Sequence, residues 1–542
     1  MFSSLRISER AQLIAFILIG GMLVLRLLQV LASPLELYAD EAQYWRWSET
    51  LAWGYYSKPP MIAWVIATST ALFGDSEWAI RLAAPLLHAF SASILFLLAR
   101  RMFGNSAALF TTLTYVFMPG VVLSSSVIAT DGVLFPFWVL SLYLYWRLRE
   151  SDLGWLGTCL LGLSLGLGFL SKYAMLYFVI GLALTSLVDR PSRRALFSRR
   201  GGVSLGLALL VLAPHLLWNA QNGFETVSHT VDNANLGGSL FNLENLPVFL
   251  TDQAGVFGPV AFIMLIAALT FVRPQPRLAD LGAQADSSQS RELWLACFIV
   301  PVILIIAFQA VLSRAHANWA ATAYPAASVL IGGFLVRAPA WRPAFWGGIV
   351  LQIVVMVLAA ILALGPPSWS AAIGRDNDLK RVRGWQDLSA QLIAEVERLQ
   401  PTVIVTDERE IWHGLDYYMR TQEEPPLILW RYNAGPKNFA EKVDLADLDD
   451  NRVLVASYRS HLRPRIKADF ETWEPVGRVG VDLGHRSNGC PLTRELRLYL
   501  VSDYQPLTRD QAWIDQFKRV DESGRKVNTH IDRLPVCPPV PQ

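Results

Sequence analysis

Asp40 and Glu41 stand side by side, and one lysine, Lys58, follows them against Pro59 and Pro60. The aromatic rings of Tyr44, Trp45, Trp47, Trp53, Tyr55 and Tyr56 lie between. Paired acids can take a proton or hold a cation. A lysine fixed beside two rigid prolines can meet a phosphate. Aromatic faces suit sugars, and they also suit the membrane interface. The plainer reading of the stretch is an interfacial aromatic belt with ordinary loop charges.

Other polar groups recur at apolar boundaries. Asp131, in Ala129-Thr-Asp-Gly132, precedes an apolar run, where an acid is costly unless paired or functional. It could equally cap the helix that follows. Lys172, in Phe169-Leu-Ser-Lys-Tyr173, could meet an anion or simply snorkel to the interface. Asn219 and the stretch Arg314-Ala-His-Ala-Asn-Trp319 add polar groups. His215, His229 and His316 read as structural, since a lone histidine near a helix end usually is. The sequence has no zinc-type Cys/His spacing, phosphate-binding glycine loop or G-x-S-x-G elbow.

The elements that must position these residues are apolar. Of 542 residues, 53% are hydrophobic and only 17% charged, against about 25% charged in soluble domains. The net charge of +2 gives no sign of nucleic-acid binding. Runs at 11–32, 79–99, 107–127, 132–148, 153–170, 173–188, 202–218, 251–272, 293–312, 319–336 and 343–364 read as spans. Each is near the ~20 residues that cross a bilayer core. The first run is too long for a signal-peptide core and is read as retained. The run 61–73 is shorter and would lie along the interface.

Arginines fill every second link: Arg100 and Arg101, Arg147 and Arg149, Arg190 to Arg200, Arg273 to Arg291, Arg337 and Arg342. The positive-inside rule puts those links in the cytoplasm. Asp40, Glu41, Lys58, Asp131, Lys172, Arg314 and His316 then share the outer face. So does everything after residue 365, where charge becomes dense. There, 383–399 has a helical apolar stripe of Trp385, Leu388, Leu392, Val396 and Leu399. Residues 402–406, 427–430 and 452–456 read as strands and 409–419 as a helix, giving a small α/β domain. The link 274–290 is polar, and the tail after Leu534 is proline-rich. Cys159 and Cys297 sit in apolar runs. Cys490 and Cys537 are expected to form a disulfide, since an outward domain meets an oxidising compartment.

Tyr38-Ala-Asp-Glu-Ala-Gln-Tyr-Trp45, Lys58-Pro-Pro60, Thr130-Asp131 and Gly168-Phe-Leu-Ser-Lys172 together resemble polyprenyl-phosphate-dependent GT-C glycosyltransferases. That group includes the aminoarabinose transferases of lipid A, the rhizobial lipopolysaccharide galacturonosyltransferases and, more distantly, protein O-mannosyltransferases. The resemblance implies a polytopic α-helical membrane protein of GT-C type with about 11–13 transmembrane helices, over 1–365. The first outer loop, 33–78, would carry the catalytic motif, and 366–542 would form a periplasmic α/β domain. It implies a donor sugar on a polyprenyl phosphate and an envelope glycan or glycolipid as acceptor.

By the same resemblance Asp40 is the expected base, Glu41 its support and Asp131 an organising acid. Lys58, Arg81, Lys172 and Arg314 would meet the donor phosphate. Tyr44, Tyr55, Tyr56, Asn219, His316 and Asn318 would line the substrates. Some relatives use a divalent cation and others do not, so a metal on Asp40, Glu41 and Asp131 stays open; no nucleotide is required. Protein O-glycosylation is the alternative within the family. A lipid-linked sugar flippase is the alternative outside it, but its polar groups should lie near the midplane of several spans, and here they gather at one edge. A membrane-anchored binding protein would need far fewer spans.

Overall fold

A backbone surrounded by hydrocarbon must bond to itself, which favours helices. The structure, a computed structural model, describes residues 2–233, 241–270, 287–422, 424–433, 435–436, 438–448, 451–486, 490–510 and 512–513. The proline-rich tail and most of the link 274–290 lie outside the described residues. Among the described residues, six helices can cross a bilayer by length and composition: Glu9–Ala32, Glu77–Phe103, Arg199–Gln221, Ser290–Leu312, Ala317–Arg337 and Pro339–Leu364. The helix Thr130–Arg149 and the shorter apolar helices Trp155–Ser171 and Tyr173–Val188 occupy three further predicted runs.

Two predicted spans are broken, and each break has a local cause. The run 107–127 divides into Asn105–Val116 and Pro119–Ser124, because Pro119 lacks an N–H and starts a new helix. The run 251–272 becomes Asn245–Phe257 and Pro259–Thr270, which meet at 105°. Gly258 makes that corner at φ +97°, and a Cβ there would lie 1.8 Å from Gln352 Nε2. Met61–Phe73 is a helix of 13 residues, roughly 20 Å long and too short for a ~30 Å core.

The chain divides into two compact units: Met1–Ala32 with Leu51–Ala359, and Ser33–Thr50 with Ala360–Gln542. Residues 33–50 of the 33–78 loop thus belong with the C-terminal residues. Among the described residues the regular elements of the first unit are all helices, with a core rich in interlocked aromatics such as Trp294 and Phe298, whose ring centroids are 4.8 Å apart.

The second unit is built on a five-stranded sheet. Its strands are β1 (Val403–Thr406), β2 (Leu427–Leu429), β3 (Val453–Ser457), β4 (Phe470–His485) and β5 (Pro491–Tyr504), ordered β2-β1-β3-β5-β4. The first three are parallel, and β5 and β4 run antiparallel. Ile404 and Leu454 face one apolar cluster, with Trp385, Leu388 and Leu392 of the helix Trp385–Leu399. Val403, Val405 and Val453 face another on the opposite side. Burial on both faces explains why β1 and β3 read as unbroken apolar runs. The hairpin of β4 and β5 was not expected. Its alternation is clear in β5, where Leu492, Arg494, Leu496 and Leu498 are buried and their neighbours are more open.

The segment before Asp40 is fixed to this unit. Glu36 accepts hydrogen bonds from the backbone N–H groups of Trp385 (2.5 Å) and Gln386 (3.0 Å), capping the helix Trp385–Leu399. Leu37 N–H donates to the Tyr418 hydroxyl at 2.7 Å. The helix Ala39–Ser48 then buries Tyr44, Trp45 and Trp47, with Trp45 edge-on to Tyr417 of the helix Arg409–Tyr418 at 4.9 Å.

Candidate active site

Adjacent carboxylates on a helix point about 100° apart, so their surroundings can differ completely. Glu41 is buried, and its carboxylate accepts from the Tyr38 backbone N–H at 3.1 Å, as a capping residue does. Its work is to hold the start of the helix Ala39–Ser48. Asp40 keeps 38% of its side chain exposed. Its Oδ1 accepts from Arg409 Nη2 at 2.6 Å, and the same guanidinium bonds Gln43. Among the described residues of this unit, Oδ2 accepts no hydrogen bond. Asp40 therefore has the fixed side chain and the open lone pairs that a base needs. Arg409 carried no signal in the sequence; it lies 369 positions from Asp40 and reaches it only through folding.

The first unit holds a second acid with a different task. Asp131 is 7% exposed. Its Oδ1 accepts from Lys172 Nζ and its Oδ2 from Asn318 Nδ2, both at 2.7 Å. Asp131 lies in the first turn of Thr130–Arg149, and Lys172 closes the end of Trp155–Ser171. Each charge sits at the helix end whose dipole favours it. Ala129, not Asp131, is the N-cap residue. The clamp joins two helix ends to the 3-10 turn Ala317–Ala323.

Positive charge gathers around this clamp. Burial, then the charges of Arg314 and Lys172, hold the His316 imidazole below its ordinary value. Both cations are therefore within electrostatic reach of one ring, which rests edge-on to Trp319 at 5.1 Å. An ammonium has three donors. Asp131 takes one from Lys172, so the lysine can still meet an anion.

Lys58 ends a tight turn in which Tyr55 N–H donates to Lys58 O at 3.1 Å. The turn is built with care for its position. Thr226 Oγ1 donates to Tyr55 O at 2.7 Å, and the Tyr55 hydroxyl accepts from Ala52 N–H at 3.2 Å. Tyr56 lies edge-on to His229 at 5.9 Å. Gly54 passes so close to Trp218 that a Cβ would come within 2.3 Å of its ring. His215 bridges Trp53 O (2.6 Å) and the Tyr173 hydroxyl (2.8 Å), and Asn219 Nδ2 donates to His215 O at 3.0 Å. Tyr55, Tyr56 and Asn219, the expected substrate contacts of this stretch, are all buried. Tyr44 is likewise buried, and Arg81 is buried at 2% exposure. Arg314, His316 and Asn318 are exposed.

Among the described residues, no group of three or more His, Cys, Asp or Glu is placed to hold a metal ion. Asp131 accepts from Lys172 and Asn318, Glu41 accepts from the Tyr38 N–H at the helix start, and Asp40 pairs with a cation. Cys490 is disulfide-bonded, and Cys537 lies outside the described residues.

Residues 57–218 match a family model described as dolichyl-phosphate-mannose-protein mannosyltransferase. That match contains Lys58, Asp131 and Lys172 and begins after Asp40. The chain is 34% identical over 407 residues to the lipid A galacturonosyltransferase RgtD of Rhizobium johnstonii, covering 74% of this chain and 82% of that one. It is 33% identical over 171 residues to the undecaprenyl phosphate-alpha-4-amino-4-deoxy-L-arabinose arabinosyl transferase of Pseudomonas aeruginosa, over 30% of each chain. Its fold is similar to that of ArnT from Cupriavidus metallidurans in the apo state. The TM-score is 0.61 at 15% identity, covering 90% of this chain and 98% of that one. The chain belongs to the polyprenyl-phosphate-dependent GT-C glycosyltransferases, and it is a multi-pass membrane enzyme.

Proposed function

We propose that this enzyme moves a sugar from a polyprenyl-phosphate donor to a glycolipid acceptor of the lipopolysaccharide type, on the periplasmic face of the inner membrane. The observation that carries the reading is the split between two neighbouring acids: Glu41 is committed to the helix start, while Asp40 is held by Arg409 and open. The names of the 34% and 33% identical relatives support the donor and acceptor classes. The alternation of arginine-rich links supports the orientation.

In this mechanism Asp40 takes the proton of an acceptor hydroxyl as its oxygen attacks the anomeric carbon. The bond from that carbon to the phosphate oxygen breaks, and polyprenyl phosphate leaves. Lys58, Lys172 and Arg314 are assigned to the developing charge on the leaving phosphate. Asp131 keeps Lys172 in place.

Transfer assays with purified protein in detergent test the proposal. A labelled polyprenyl-phosphate sugar should pass its label to lipid A or lipopolysaccharide without a sealed membrane. Label recovered in protein would favour protein O-glycosylation. Transfer from a nucleotide sugar in lipid-free buffer would overturn the donor assignment.

A further inference from the structure

The second unit contains a pocket of about 90 Å³, the room of about three waters. Lys380, Arg381, Arg486 and Arg494 contribute cations to its lining, against the carboxylates of Glu408 and Glu410. Both carboxylates already have partners: Glu408 pairs with Arg459, and Glu410 with Arg381 at 3.5 Å. Arg494 Cζ lies over the Trp385 ring, 3.6 Å from its centroid, and among the described residues its guanidinium bonds backbone carbonyls, those of Arg383 and Lys380. Among the described residues, Arg486 makes no ion pair. Burial first, and then the charges of Arg381 and Arg486, hold the Lys380 ammonium below its ordinary value. A small cavity with more cations than anions, where like charges are crowded together, is suited to an anion.

Its place in the fold adds a second argument. Glu408 follows β1 and Tyr458 follows β3, so the pocket lies at the carboxyl ends of parallel strands, where open α/β sheets bind ligands. It also adjoins the base. Arg381 donates to the Tyr38 hydroxyl at 3.3 Å, and Tyr38 immediately precedes the helix that carries Asp40. Glu410 neighbours Arg409, the partner of Asp40. None of the residues assigned to the donor phosphate belongs to this unit.

We propose that this pocket binds an anionic group of the acceptor glycolipid, a phosphate or a carboxylate, and so steadies the acceptor beside Asp40. The proposal rests on the transferase reading given above and adds that the acceptor is recognised by its charge. Lys380 and Arg486 are then positioning residues.

Two measurements on the full-length protein test it. In the first, inorganic phosphate is titrated calorimetrically against wild type, Arg486→Ala and Lys380→Ala, with thermal unfolding as the check on folding. Phosphate should bind wild type, and each variant should bind at least about tenfold more weakly, the loss of one charge-assisted hydrogen bond. In the second, KM is measured for an acidic glycolipid acceptor in intact, phosphatase-treated and carboxyl-methylated forms. The variants should raise KM for the intact acceptor about tenfold while the donor KM holds. The treatment that removes the wild-type advantage identifies the group. Absence of phosphate binding to wild type, equal binding by all three proteins, or a shift in donor KM alone would overturn the proposal. If wild type transfers no sugar from any lipid donor, the transferase reading fails, and the calorimetry still decides the pocket.

Discussion

Asp131 in the first unit and Asp40 in the second are both acids in the first turn of a helix, and the protein uses them in opposite ways. Asp131 spends both oxygens on Lys172 and Asn318 and is nearly closed to solvent. Asp40 spends one oxygen on Arg409 and is more than a third exposed. A carboxylate bonded on both sides fixes geometry. A carboxylate bonded on one side is fixed too, but it keeps lone pairs that can accept a proton. The comparison teaches that helix position alone does not leave an acid free to accept a proton; the partners its oxygens already hold decide that.

The sharpest way to break the comparison is to neutralise the two acids in turn. Asp40→Asn keeps the shape and removes the base, so kcat with a lipid-linked donor should fall by about 10²–10⁴-fold, with folding intact by circular dichroism. A well-folded Asp40→Asn enzyme with near-normal transfer would end its claim as base.

Asp131→Ala should instead act on stability. It leaves Lys172 without its counter-ion in a largely closed setting. Losing one partner of a buried pair costs ~3–5 kcal/mol. Partial exposure of Lys172 reduces this to about 2 kcal/mol. Thermal unfolding in detergent should show the loss, and adding Lys172→Met should recover much of it. Unchanged stability with a catalytic loss as large as that of Asp40→Asn would reverse the two roles.

A smaller effect distinguishes the second unit by its response to pH. Burial pushes the Asp416 carboxyl up to about 6; Arg46, 3.6 Å away, opposes this and Glu49 adds to it. The folded value lies above the unfolded one of ~3.9, so the folded state holds this proton more tightly. The stability linked to that proton is fully present below the unfolded value and is lost as pH rises through about 6. Asp416→Asn removes the loss. Its gain in melting temperature over wild type should be larger at pH 7 than at pH 4, with a gain of roughly 1–2 kcal/mol at pH 7. An equal difference at both pH values would show that Asp416 titrates normally.

Much of this was legible from residue order. Apolar runs of span length became helices, because a helix in lipid needs only its own backbone. The stripe of Trp385, Leu388, Leu392 and Leu399 became a buried face. Less legible were breaks within apolar runs, since hydropathy averages over a Pro119 or a Gly258 whose effect is local. The β4 and β5 hairpin was missed because β5 alternates but its partner β4 does not, its register being shifted at Pro475/Gly477 and Asp482/His485.

The roles inside the site divide along the same line. Sequence alone determined that the chain crosses a membrane, that it carries an acid pair before a Lys-Pro-Pro turn, and that further polar groups stand at span ends. Those are properties of residue type and spacing. Only the tertiary structure decided which acid is open. Arg409 reaches Asp40 across 369 positions, Asn318 reaches Asp131 across 187, and His215, read as structural, reaches Trp53 O across 162. A side chain's chemistry depends on which of its donors and acceptors are already satisfied, and that is settled by partners distant in sequence.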